Sequence, residues 1–201
     1  MSVEILPATS ERHDDAVRAM AHGDGPGCLC QWWMVRPSEF AGLTAEDKAR
    51  MLRDDLSAPV APALVAYRDG AVAGWVRVGP RPAQPRIGRT RAIVAHTGEP
   101  LEDTDVWAVT CFAVRREHRG RGLMRELLHA AIAHARAHGA RVVEGYPLDP
   151  TVKRRGAEDL YHGTVGVFED AGFEVIARPR PDSAIVALTV ADTDRRPQPA
   201  T

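Results

Sequence analysis

The chain has 201 residues, 44% of them hydrophobic and 26% charged, with a net charge of −1, which suits one globular domain. So even a balance gives no argument for a nucleic-acid or anionic-membrane partner, and no apolar run approaches membrane-spanning length. The start of the chain lacks the basic-then-apolar pattern of an export signal, and three cysteines, an odd number, read as reduced thiols, so a cytoplasmic location is expected.

In chain order, Val3 to Leu6 reads as a short strand, and Thr9-Ser10 with Glu11 opens a helix running to Met20. The glycine-rich stretch 22–27 is a loop. Thr44 before Ala45-Glu46-Asp47 is an N-cap with an acidic first turn, so a second helix runs to Leu56. Pro62 to Arg68 and Ala71 to Val78 are apolar runs joined by Asp69-Gly70, a strong hairpin signal. The connection Pro80 to Thr104 holds four prolines and is long enough to be expected as a functional or mobile loop.

A strand from Asp105 to Val114 and a helix from Gly122 to His138 follow, the helix carrying an apolar stripe of Leu123, Met124, Leu127, Leu128, Ala131, Ile132 and Ala135. Gly139 closes that helix. Then come a strand Arg141 to Tyr146, a helix Val165 to Ala171, and strands Glu174 to Arg178 and Ala184 to Val190. One domain over residues 1–190 is expected, with a polar, proline-containing and disordered tail at 191–201.

Between the fourth strand and its helix, residues 114–124 read VRREHRGRGLM. Gly120 and Gly122 let backbone approach an anion with no Cβ in the way. The helix start turns its unpaired N–H groups and positive dipole end to the same point, and Arg119 and Arg121 add charge. A pyrophosphate is the natural guest. A Walker A loop would need Lys-Ser/Thr where Leu123-Met124 stand, and a dinucleotide fingerprint would need glycine at Arg125.

What remains, Arg-x-x-Gly-x-(Gly/Ala) after a strand, resembles the acetyl-CoA loop of the GNAT N-acetyltransferase superfamily, with Met124 in place of the usual small last residue. The element order and the segment FEDAGF at Phe168 to Phe173 resemble the same family over Val3 to Val190. Cys28-x-Cys30-x-Trp32 and Trp107-x-Val109-Thr110-Cys111-Phe112 resemble an actinobacterial-type subgroup. The resemblance implies an α/β GNAT acyl-CoA N-acyltransferase fold: a central mixed, mostly antiparallel sheet flanked by helices, with the fourth and fifth strands splayed.

It further implies acetyl-CoA as cosubstrate. Phe112, Ala113 and Val114 would lie along the pantetheine arm, with a backbone N–H near Phe112 at the developing oxyanion. Arg119, Gly120, Arg121, Gly122, Leu123 and Met124 would hold the pyrophosphate. Glu144 stands where several family members carry a base; the alternatives are an ion pair with an arginine and a place at a solvated strand edge. A second family base position falls on Ala108, which cannot act. The family's proton-donating tyrosine falls on Phe168, so Tyr161, with His162 behind it, is the candidate substitute; both residues could instead only pack the helix start.

Residues 27–34, Gly-Cys-Leu-Cys-Gln-Trp-Trp-Met, fall where this fold builds its acceptor pocket. Cys30, Trp32, Trp33 and Tyr146 are the expected substrate-binding residues, the alternative being that the tryptophans plug the core. No metal is expected: Cys28 and Cys30 lack further ligands, and His134 and His138 read as solvated. Cys111 reads as core. Arg81, Arg86, Arg89 and Arg91 could greet an acidic substrate or the CoA 3′-phosphate, but solvation is the default for such a run.

The leading expectation is therefore an acetyltransferase acting on a small-molecule amine, with no nucleic acid or membrane partner and a homodimer as an allowed assembly. The alternatives are a non-catalytic acyl-CoA-binding module and an acyltransferase of specialised metabolism or resistance using another acyl group or acceptor.

Overall fold

The alternation along the chain folds into one seven-stranded sheet with helices on both faces. The computed structural model describes residues 2–21, 27–156 and 159–190. Among these, the first half contains β1 (Val3–Pro7), α1 (His13–Met20), α2 (Pro37–Gly42), α3 (Ala45–Asp55), β2 (Ala63–Arg68) and β3 (Ala71–Pro80). The second half contains α4 (Arg91–Val94), β4 (Val106–Val114), α5 (Leu123–Ala137), β5 (Val142–Gly145), α6 (Val165–Asp170), β6 (Glu174–Arg180) and β7 (Ser183–Thr189). The stretch 22–26 and the tail 191–201 lie outside the described residues.

Local chemistry sets the boundaries. Thr44 caps α3 reciprocally: its hydroxyl accepts the Asp47 N–H at 3.1 Å, and the Asp47 carboxylate accepts the Thr44 N–H at 3.1 Å. Asp69 and Gly70 both have positive φ, 50° and 80°, as a type I′ hairpin turn between β2 and β3 requires. The short helix α2 was not anticipated; Pro37 at its first turn supplies a preset φ without an N–H to satisfy.

The strand order is β1-β2-β3-β4-β5-β7-β6. Every neighbouring pair is antiparallel except β4 and β5, which α5 connects as a crossover. Side-chain alternation sends Val76 to one face, with Leu127, Leu128, Ala131 and Phe168, and Trp75 to the other, with Ala16, Ala19, Leu52 and Trp33.

The β4–β5 ladder ends at Val109 opposite Gly145, yet β4 runs on to Val114. Two features part the strands. Pro147 has no N–H to continue a ladder. The Phe168 ring sits hard against Gly145, where an added Cβ would come within 2.4 Å of it. The splay is thus built by Gly145, Pro147 and Phe168 together.

The long connection after β3 is not a mobile lid. Arg81, Gln84, Arg86 and Ile87 are buried, and the segment coils through two short 3-10 turns into α4. Gln84 ties it to β4: its Oε1 accepts the Thr110 hydroxyl at 2.6 Å and its Nε2 donates to the Ala108 carbonyl at 3.0 Å. Polar anchors of this kind offset the entropy of ordering a long segment.

Candidate active site

The backbone at the start of α5 offers an anion site. Gly120 and Gly122 have φ of 70° and 79°, and the next helix N–H groups, those of Arg125 and Glu126, already donate to the Gly122 carbonyl. The N–H groups of Gly120, Arg121, Gly122, Leu123 and Met124 find no acceptor among the described residues. Successive unpaired N–H groups at a helix start form an anion-binding nest. Arg119 is braced beside it, its Nε donating to the Val114 carbonyl at 3.0 Å. Met124 is half-buried, packing against the core and lining the cavity beside the loop.

That loop opens on a cavity of about 310 Å³ running along Phe112, Ala113 and Val114 toward Tyr161. Arg115 donates its N–H to Ala73 of β3 at 3.0 Å. By strand alternation Val114 and Phe112 point theirs into the splay. One expectation changes here. The Phe112 N–H is not free: it donates to the Tyr161 carbonyl at 2.6 Å, because the segment before α6 runs beside β4 where a neighbouring strand is missing.

On the other side of Tyr161 lies a second cavity, of about 370 Å³. Trp32, Trp33 and Tyr146 line it, as expected of an acceptor pocket. Trp33 is also core: only 4% exposed, it donates its indole N–H to the Thr110 carbonyl at 3.0 Å. Trp32 is half-buried, edge-on to Phe40 at 5.1 Å, with the Arg86 guanidinium 3.6 Å from its ring centroid, a cation–π contact.

Cys30 does not join them. Leu29 and Cys30 adopt φ of 44° and 61°, a left-handed pair that turns the Cys30 thiol into the core, where it accepts the Trp75 indole N–H at 3.4 Å. Burial pushes this thiol up, but the Cys111 thiol, the Arg77 guanidinium and the Trp75 N–H outweigh burial and bring it down to about 7.

Tyr161 lines both cavities, and its hydroxyl has no hydrogen-bond partner among the described residues. Burial, then the nearby Cys111 and Cys28 thiols, raises its pKa above the usual phenol value, so it stays protonated. His162 beside it packs edge-on to Trp33 at 5.4 Å. Burial, with help from Arg180 and Arg155, lowers this imidazole to about 4, so the ring is neutral, and its Nδ1 has no partner.

Glu144 is fully buried and enclosed by donors. Its Oε1 accepts from Arg81 Nη1 at 2.9 Å and the Thr97 hydroxyl at 2.7 Å, and its Oε2 accepts the Tyr146 hydroxyl at 2.8 Å. Arg81 also donates to the Glu99 and Pro100 carbonyls. The arginine ion pair read from sequence is formed and the solvated strand edge is not, and among the described residues the Tyr146 hydroxyl leads from the carboxylate to the cavity. Burial and then Glu144 raise the Tyr146 phenol well above its usual value, so it donates rather than ionises.

Sequence reasoning missed Arg81 as that partner, although Pro80 and Pro82 flank it and pin its backbone. It also treated Arg86 as solvated, whereas only 6% of it is exposed. His134 is half-buried rather than solvated, whereas His138 is exposed, as expected. His134 Nε2 donates to the Ala61 carbonyl at 2.9 Å, and Trp107 meets the His134 ring edge-on and the His138 ring stacked; no group of acid, histidine and cysteine side chains among the described residues is arranged to hold a metal ion.

Known proteins share this architecture. CoA-bound PaiA N-acetyltransferase from Thermoplasma acidophilum superposes with a TM-score of 0.55 at 12% identity, covering 94% of this chain and 100% of that one. YncA from Salmonella typhimurium, with its cofactor acetyl-CoA, gives 0.54 at 16% identity over 100% of both chains. A Drosophila melanogaster polyamine N-acetyltransferase that forms N-acetylagmatine gives 0.55 at 15% identity, covering 94% of this chain and 100% of that one. A search of curated proteins returned no match. No helix among the described residues is long and apolar enough to cross a membrane. The family model for the acetyltransferase (GNAT) family matches residues 29–163, from the turn before Trp32 through the phosphate loop to Tyr161 and His162, and the chain belongs to that family.

Proposed function

We propose that this protein is an acetyl-CoA-dependent N-acetyltransferase for a small amine. One observation carries this: five consecutive N–H groups without acceptors among the described residues, from Gly120 to Met124, open on a cavity that follows β4 past its pairing with β5 to Tyr161. The residues fit the cosubstrate, because the nest suits a pyrophosphate and the Val114 N–H suits an amide of the pantetheine arm. Bound acetyl-CoA supplies a thioester whose carbonyl carbon an amine attacks and whose sulfur leaves as thiolate.

The chain's own residues do the rest. Gly120 to Met124 orient the diphosphate, and Arg119 adds charge. For the arm to lie along β4, the Tyr161 carbonyl must release the Phe112 N–H, which then stands ready for the oxyanion. The same shift leaves the Tyr161 hydroxyl between the cavities, where it donates a proton toward the leaving sulfur. Tyr146, held by Glu144, hydrogen-bonds on the acceptor side. Glu144 acts in this scheme as a positioning residue rather than as the base, since three donors already occupy its carboxylate. Water takes the proton from the amine, since an imidazole such as His162, held at about 4, is too weak a base.

Titration calorimetry with acetyl-CoA, CoA and NAD tests this, followed by thiol release over an amine panel. Acetyl-CoA and CoA should bind and NAD should not. Gly122→Trp, which blocks the nest, should weaken binding by at least about 100-fold, or 2.7 kcal/mol. A wild-type protein that binds no CoA overturns the assignment. Binding without thiol release from any amine reduces it to an acyl-CoA-binding module.

A further inference from the structure

The charge of the second cavity narrows the acceptor. Arg86, Arg89 and Arg180 line it, and no aspartate or glutamate does among the described residues. Arg180 is partly answered by Asp182, whose carboxylate lies 3.9 Å away. Arg86 is not. Its Nε donates to the Val35 carbonyl at 3.1 Å and its plane lies on Trp32, but Nη2 is buried without a partner. No carboxylate among the described residues pairs with it.

A guanidinium held this way has lost its water and cannot swing to find a counter-charge. Val35 and Trp32 fix its plane, and a fixed guanidinium edge matches a carboxylate in geometry as well as charge. Trp32, Trp33 and Tyr146 supply flat apolar wall beside it. A cationic polyamine would meet only like charge here.

Building on the acetyltransferase assignment, we propose that the acceptor is an amino carboxylate with an aromatic or large apolar body. Arg86 takes the carboxylate, the tryptophans and Tyr146 take the body, and the amine faces Tyr161. The cavity, at about 370 Å³, is the size for a single small molecule rather than a protein tail.

The test uses three matched probes: L-phenylalanine, L-phenylalaninamide and phenethylamine, with spermidine as the cationic control. Calorimetry measures their binding to wild type, Arg86→Gln and Arg86→Lys, with circular dichroism checking the fold of each, and thiol release with acetyl-CoA measures turnover. Phenylalanine should bind at least about 10-fold tighter than its amide or phenethylamine. Arg86→Gln should erase that difference, and Arg86→Lys, which keeps charge without the planar fork, should restore part of it.

Equal affinity of acid and amide for the wild type overturns the proposal, as does an equal loss for both in Arg86→Gln. Turnover confined to phenethylamine or spermidine also overturns it while leaving the acetyltransferase assignment intact. Tighter binding of phenylalanine than of its amide, in a protein that binds no acetyl-CoA, upholds the carboxylate site and removes the enzyme.

Discussion

The two cavities that meet at Tyr161 are built by opposite means. The cavity at the start of α5 is made of backbone: a handful of N–H groups from consecutive residues, freed by two positive-φ glycines and the start of α5. The second cavity is made of side chains drawn from the turn before α2, the segment after β3, the end of β5, the stretch before α6 and the β6–β7 turn. A backbone site is local, so it tolerates change in its side chains and fails when a glycine is replaced. A side-chain site is a network, so it fails when one distant member is removed. Substitutions on each side can break or sharpen this contrast.

The largest effect is expected at Glu144. Removing its charge with Glu144→Gln leaves Arg81, 1% exposed, without a counter-charge. Loss of one member of a buried pair costs about 3–5 kcal/mol, which for a chain of this size lowers Tm by roughly 10 °C. Adding Arg81→Met should recover part of that loss, because no uncompensated charge then remains. Acetyl-CoA affinity should stay within about 3-fold of wild type, since the nest lies on other elements. Thermal denaturation and calorimetry check both halves. Unchanged stability with lost turnover would instead make Glu144 the base.

This contrast also explains what the sequence displayed. The nest was legible because its parts are adjacent and its chemistry is glycine spacing. The order of elements along the chain and the hairpin at Asp69-Gly70 were legible for the same reason, as each rests on local periodicity or turn chemistry. The partner of Glu144 was not, because Arg81 lies 63 residues away and it takes the register of β3 against β4 and of β4 against β5 to bring them together. Arg86 looked like a surface charge, since nothing near it in sequence announces that Trp32 will cover its plane. Cys30 looked like pocket wall by its neighbours, and two left-handed residues reversed its direction. The engaged N–H of Phe112 was invisible, for it depends on where the chain before α6 comes to rest.

A smaller effect on the acceptor side is expected from pH. Burial lowers the His162 pKa from 6.5 to about 4, so in the window between these values the unfolded chain binds a proton that the folded one refuses. Stability contributed by neutral His162 is therefore complete above about pH 6.5 and is lost as the pH falls toward 4, by at most about 3 kcal/mol. His134, also lowered by burial, adds a loss of the same sign. Denaturant titrations of wild type and His162→Gln between pH 7 and 4.5 should show a shallower slope in the variant, with the remainder shared by His134 and by carboxylates that arginines hold low, such as Glu99 and Asp103. Parallel slopes would place the His162 ring in water and open the cavity wall that it forms.

The smallest effect, and the sharpest for the contrast, is expected where the two sites touch. Tyr161→Phe deletes a hydroxyl that has no partner among the described residues, so stability should change by less than about 0.5 kcal/mol. The backbone carbonyl that reaches Phe112 remains, so acetyl-CoA binding should hold. If the hydroxyl donates to the departing sulfur, kcat should fall about 10- to 100-fold, or 1.4–2.7 kcal/mol, with KM for both substrates little changed. The loss should shrink with a thioester whose thiol is more acidic, because a better leaving group needs the proton less. That dependence separates a proton donor from a residue that merely walls two cavities, since a wall would raise KM and treat every leaving group alike.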